Sequence, residues 1–167
     1  MDARRLSILA AAACLVAALA QAWLGLAAAP RHWFLVDLSR SSCGGRDDHA
    51  AALAQALARA QADAREAGAT LACIAYGEGA RRLEPEALAS AARRAQGAGG
   101  EARGDLHAAL ALVEEAPGRV LIYGDGAGGA AAQARLDALA RHGVDSVLLA
   151  PPPRSRGDAQ ILDVVAP

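Results

Sequence analysis

The chain has 167 residues, 54% of them apolar, and its 17 basic and 18 acidic side chains nearly cancel, which fits one domain and sets aside a nucleic-acid partner. Every basic residue apart from the four histidines is arginine, and neither lysine nor asparagine occurs. A lysine P-loop, a Schiff-base lysine and Asn-linked glycosylation are therefore excluded, and the single threonine, Thr70, restricts the ligand sets open to the chain.

A short tail, residues 1–5, ends in Arg4 and Arg5, and residues 6–29 then run for 24 positions without a charge. A helix of that length reaches about 36 Å, against about 30 Å for a hydrocarbon core. The first expectation is a transmembrane helix with the following domain outside the cytoplasm. The alternative is a signal peptide cleaved after Ala20 or Ala22, which would leave a secreted protein. Of the three cysteines, Cys14 falls in this run, Cys73 in an expected strand and Cys43 in an expected loop; their spacing makes neither a zinc site nor a disulfide framework.

After Pro30, short apolar runs alternate with helical periods, the pattern of βα units. The Trp33-Phe34-Leu35-Val36 run reads as a strand buried on both faces and ending at Asp37. A helix is expected over 49–66, capped by Asp47 or Asp48 and stopped by Gly68, with Leu53 and Leu57 facing inward. Residues 70–76 form a second strand, a Gly77-Glu78-Gly79 turn follows, and 80–83 return as an antiparallel edge. A short helix over 86–95 leads to a glycine-rich loop over 97–104. Asp105 then caps a helix whose inward stripe is Leu106, Leu110 and Val113, and which ends at Pro117-Gly118. A strand over 120–123 runs into Gly124-Asp125-Gly126, and a helix over 130–141 turns Leu136 and Leu139 inward before Gly143. The last clear strand is 144–150. Residues 151–167 read as a proline-rich linker with a further strand candidate at 161–165.

The fold class expected is α/β, a doubly wound and mainly parallel sheet with helices on both faces, over residues 31–150. In such a sheet ligands bind at the carboxyl ends of the strands, and oxygen-bearing residues gather in three loops there: Asp37-x-Ser39-x-Ser41, Gly104-Asp105 and Asp125. Carboxylates and hydroxyls are hard ligands suited to Mg²⁺.

The order of these motifs resembles the von Willebrand factor A family. The resemblance covers about residues 32–150: the D-x-S-x-S at the end of the first strand, Tyr76-Gly77 after the second, the G-D-L-x-x-A-L helix start at Gly104, and the G-D-G at 124–126. It implies a metal-ion-dependent adhesion site with Asp37, Ser39, Ser41 and Asp125 as ligands, Mg²⁺ or Mn²⁺ as the ion, and an acidic side chain of a protein partner completing the shell. The family's threonine ligand is absent, because Gly104 stands at its position. Asp105 is either its substitute or only the helix cap, and a site without metal stays open. With an anchor in front, the chain resembles bacterial membrane-anchored members of the aerotolerance type.

The expected function is a membrane-anchored protein-binding module without catalysis; the alternative is a metal-free structural component of a membrane protein complex. Phosphoryl transfer through Asp37 lacks its second acid and its lysine, and neither Ser39 nor Ser41 sits in a nucleophile elbow. His49 is read as a solvated first-turn residue or as a base near the site, and His32, His107 and His142 as surface or cap residues. Arg81, Arg82, Arg93, Arg94 and Arg103 are either a solvated face or an anion-attracting patch.

Overall fold

The computed structural model describes residues 13–17, 30–43 and 49–151. In chain order the elements are β1 (Arg31–Asp37), α1 (Arg40–Cys43), α2 (His49–Glu66), β2 (Thr70–Tyr76), β3 (Ala80–Leu83), α3 (Pro85–Gly97), α4 (Leu106–Ala111), β4 (Gly118–Tyr123), α5 (Gly129–Arg141) and β5 (Val144–Leu149). The sheet order is β3-β2-β1-β4-β5. All neighbours are parallel except β2 and β3, which pair antiparallel through the tight turn at Gly77-Glu78-Gly79.

The central strand explains the two-sided architecture. β1 alternates Phe34 and Val36 to one face with Trp33 and Leu35 to the other, and all four are buried. The first pair packs with Leu53, Leu57 and Ala60 of α2 and Leu88, Ala91 and Ala92 of α3. The second packs with Leu106 and Leu110 of α4 and Ala132 and Leu139 of α5. Many of these contacts are made by alanine, whose short side chain lets the helices lie close to the sheet.

The local signals behave as their chemistry requires. α2 buries Leu53, Leu57, Ala60 and Ala64, one stripe along the helix, and Gly68 stops it at φ +62°, in the left-handed region that glycine enters without strain. α3 begins with Pro85, tolerated where the first-turn N–H has no partner anyway. α4 is shorter than the stretch to Pro117 that its sequence suggests. Leu112 and Val113 donate to the carbonyls three residues back, Ala109 at 3.1 Å and Leu110 at 3.2 Å, and this tightened turn ends the helix while keeping Val113 in the core.

The membrane expectation is corrected. Among the described residues no helix is long and apolar enough to cross a membrane; α2, the longest, carries Arg59, Asp63, Arg65 and Glu66. The stretch on which a span was expected lies outside the described residues except for 13–17, which is helical and exposed. The single-pass topology and the single-span membrane contact expected from that stretch therefore have no support among the described residues. The Asp47 or Asp48 cap and the 161–165 strand also lie outside the described residues.

Candidate functional site

Chain connectivity places a crevice between β1 and β4. β1 leads to β2 on one side, whereas β4 joins on the other side of β1, so the loops leaving β1 and β4 diverge at their carboxyl ends. β1 ends in Asp37, and β4 runs past Tyr123 into Gly124 and Asp125.

Asp37 is buried, with 2% of its surface exposed. Its Oδ1 accepts from the Ser39 N–H at 2.8 Å, and its Oδ2 accepts from the Ser42 hydroxyl at 2.8 Å. The Ser42 Oγ in turn accepts from the Asp125 N–H at 3.2 Å, so one serine ties the end of β1 to the end of β4. Ser39 and Ser41 meet hydroxyl to hydroxyl at 3.0 Å. Burial raises the Asp37 pKa above the ordinary carboxylate value, the hydrogen bonds from Ser39 and Ser42 pull it back, and the Asp125 charge adds to the rise. The same burial, with Asp37 and Asp125 nearby, drives the Tyr76 hydroxyl upward as well.

Two glycines define the space around this carboxylate. A β-carbon on Gly124 would lie 2.7 Å from Asp37 Cβ and 3.0 Å from the Tyr76 hydroxyl, so the β4 exit can pass Asp37 only as glycine. A β-carbon on Gly104 would lie 3.0 Å from Asp37 Oδ1 and 3.3 Å from Oδ2. Gly104 therefore borders the carboxylate directly and has no donor atom to offer.

Asp105 accepts from the Ala108 N–H at 2.9 Å and caps α4, so of its two expected roles it takes the cap. The exposed Asp125 turns its Oδ1 back onto the Ala127 N–H at 3.0 Å. The metal-dependent reading is thereby corrected. Among the described residues no three His, Cys, Asp or Glu side chains form a group able to hold a metal ion, both Asp37 oxygens already accept from the chain, and the loop facing them ends in Gly104. Asp37, Ser39, Ser41 and Asp125 are joined, with Ser42, by the chain's own hydrogen bonds, and no carboxylate cluster supports the adhesion-site reading among the described residues.

Several residues that the sequence left aside shape the site. Ser42, one position beyond the D-x-S-x-S spacing, is the hydroxyl that reaches both Asp37 and Asp125, because the chain turns into α1 at Arg40 instead of remaining extended. Glu101 binds the neighbouring loops. Its backbone N–H donates to Leu38 O at 2.8 Å and its carbonyl accepts from Arg40 N at 2.7 Å. Its carboxylate lies over Gly77 and accepts from Glu78 N at 2.7 Å.

Behind Asp37, Cys43 and His49 are both fully buried. The Cys43 thiol lies 3.5 Å from the Asp37 carbonyl and 3.5 Å from His49 Nε2, and the His49 ring packs on Tyr123 at 5.6 Å. This corrects two expectations: Cys43 is not a loop residue, and His49 is not solvated. His32 is buried too, and burial, with Arg119 nearby, lowers its pKa against the opposing pull of Asp63. Burial pushes the Cys73 thiol up to about 11, with Glu84 and Glu86 adding to the shift. The arginines have different surroundings, although Arg81 and Arg94 line one cavity together with Glu101. Arg82 stacks over Trp33 at 5.0 Å and donates to Leu112 O at 2.8 Å, Arg81 pairs with Glu101 at 3.9 Å, and Arg93, Arg94 and Arg103 are exposed.

No protein-family model matches the chain, and no curated protein does. Among solved structures it is similar to a conserved hypothetical protein BatB from Bacteroides thetaiotaomicron, with 14% identity, a TM-score of 0.53, and coverage of 77% of this chain and 74% of that one. The shared property is the fold. At that identity the likeness shows an α/β architecture and no particular family, and the von Willebrand factor A resemblance rests on the motifs alone.

Proposed function

We propose that this chain is a non-catalytic structural component of a protein complex that works without a metal ion. In this reading its sheet is of the von Willebrand factor A type, with the D-x-S-x-S loop folded inward on itself. The observation that carries the proposal is the buried Asp37 carboxylate, whose two oxygens accept from the Ser39 N–H and from the Ser42 hydroxyl that also holds Asp125. A carboxylate spent on joining two strand ends stiffens the crest of the sheet. What the crest offers outward is a polar rim of Arg40, Ser41, Asp105 and Asp125, all exposed. Rims of this kind suit protein contacts.

Titration of the chain with Mg²⁺ and Mn²⁺ by calorimetry and thermal shift, with Asp37→Ala alongside, tests the reading. Neither ion should produce saturable heat or raise the melting temperature, and partner capture should survive chelation by EDTA. Saturable heat that disappears in Asp37→Ala would overturn the metal-free reading, and a hydrolytic activity lost in His49→Ala would overturn the non-catalytic one.

A further inference from the structure

The amino end of the sheet, opposite the Asp37 crevice, buries an imidazole. The alternation of β1 turns His32 to the side of Phe34 and Val36, which α2 covers, and only 8% of its surface is exposed. Its neighbours across the sheet are Leu71 on β2 and Arg119 on β4. The Nδ1 atom is buried and has no hydrogen-bond partner among the described residues. A neutral ring can carry its proton on Nε2 and leave Nδ1 bare, whereas a protonated ring has an N–H at both positions. A buried charge without a partner costs far more than a buried neutral nitrogen.

The ring borders a cleft of about 560 Å³ between the last turn of α2 and the starts of β4 and β5. Each of these elements contributes charge to the cleft: Asp63 and Glu66 from α2, Arg119 from β4 and Asp145 from β5. At this level β2 offers the uncharged Leu71, and on β1 itself Arg31 belongs to the other face, where it pairs with Glu114 at 2.6 Å. Among the described residues none of the four cleft charges is in an ion pair. Three carboxylates against one guanidinium therefore stand ready for a new positive charge. Burial and Arg119 hold the proton affinity of His32 down, and Asp63 opposes them.

We infer that His32 is a proton-operated latch between the amino end of the sheet and the last turn of α2. Neutral, the ring stays packed beneath the helix. On taking a proton from solvent it gains a donor at Nδ1 with no acceptor there, and it leaves its seat for the cleft, where Asp63, Glu66 and Asp145 meet the charge. The last turn of α2 then loses its support from β1 and opens. The sign follows from the lowered affinity: the closed form binds the proton less tightly than the open one, in which the ring regains its ordinary value of 6.5. The latch therefore holds fully above that value and weakens as pH falls through the window beneath it.

The test follows the His32 ring titration and the amide exchange of residues 63–67 by NMR, from mildly acidic to neutral pH, in the full chain and in His32→Gln, Asp63→Asn and Arg119→Gln. Corrected for intrinsic exchange, the end of α2 should open more often as pH falls. The increase should reach up to about tenfold for each pH unit by which the ring's midpoint lies below 6.5. In His32→Gln the corrected exchange should stay level. Asp63→Asn should move the ring's midpoint down and Arg119→Gln should move it up, with the onset of faster exchange following each. Should His32→Gln fail to fold, these two opposed shifts decide. A ring that titrates at 6.5 or above would overturn the proposal. So would exchange that quickens equally in His32→Gln, or midpoints that move while exchange at the end of α2 does not.

Discussion

Asp37 is 2% exposed yet ionisable, so its energetics depend on the hydrogen bonds from Ser39 and Ser42. Removing the Ser42 hydroxyl strands both Asp37 Oδ2 and the Asp125 N–H. Ser42→Ala should therefore cost about 1–3 kcal/mol in urea unfolding, whereas Ser41→Ala, at an exposed position, should cost under about 1 kcal/mol. A larger loss at Ser41 would mean that the D-x-S-x-S spacing, and not the α1 turn, sets the network. The raised Asp37 pKa has a definite sign. Between the ordinary value of 3.8 and the higher folded value the native state holds the proton more tightly than the unfolded chain, so this group's contribution to stability falls as pH rises through that window. Compared across pH 4 to 7, the disadvantage of Asp37→Asn against the parent should shrink as pH increases. Gly104→Thr would restore the side chain that the family resemblance lacks here. Its β-carbon would press to within 3.0 Å of a carboxylate pinned by two donors, so a loss of about 1–3 kcal/mol is expected rather than a working ion site.

Loops that meet only in the folded chain are joined by Glu101. It bonds to Leu38, Arg40 and Glu78, so two chain segments, the one after β1 and the β2–β3 turn, depend on one residue from a glycine-rich stretch that local pattern marks only as a loop. Glu101→Ala should cost about 1 kcal/mol and speed amide exchange at Glu78; unchanged exchange there would remove Glu101 from its role. At the antiparallel edge, Arg31 and Arg82 stack on Trp33 at 5.6 and 5.0 Å while both pair with Glu114. Arg82 stands close to other arginines in sequence. The positions of Arg31 and Arg82 on separate strands, however, give them an aromatic ring and a shared acid, and not a common anion site.

For the molecule as a whole, stability resides in two apolar layers, one on each face of a sheet centred on β1. Leu110 is fully buried in the layer beneath α4, and Leu110→Ala should cost about 2–5 kcal/mol by denaturant unfolding. A loss below about 1 kcal/mol would show that the layer collapses around the gap. The alanine that dominates the composition belongs to the same picture: Ala60, Ala64, Ala91, Ala92, Ala109 and Ala132 are buried where helices approach the sheet.

The strands and the longer helices are legible in the amino-acid sequence by itself, whereas α1 and the early end of α4 are not. The apolar run at Trp33-Phe34-Leu35-Val36, the stripe through Leu53 and Leu57 and the stops at Gly68 and Gly143 are local signals, set by backbone sterics and side-chain period. The position of the crevice follows too, since in a doubly wound sheet the loops diverge at the carboxyl ends of the strands where the connections change direction. The use of that crevice is not legible there. The tie between the ends of β1 and β4 is made by Ser42 and Asp125, 83 residues apart in sequence and joined by one hydrogen bond. Cys43 and His49 are buried beside one another where the ends of α1 and α2 meet, with the His49 ring on Tyr123. Periodicity reports which face of an element is apolar; which polar group reaches which partner depends on distances that exist only after the layers have packed.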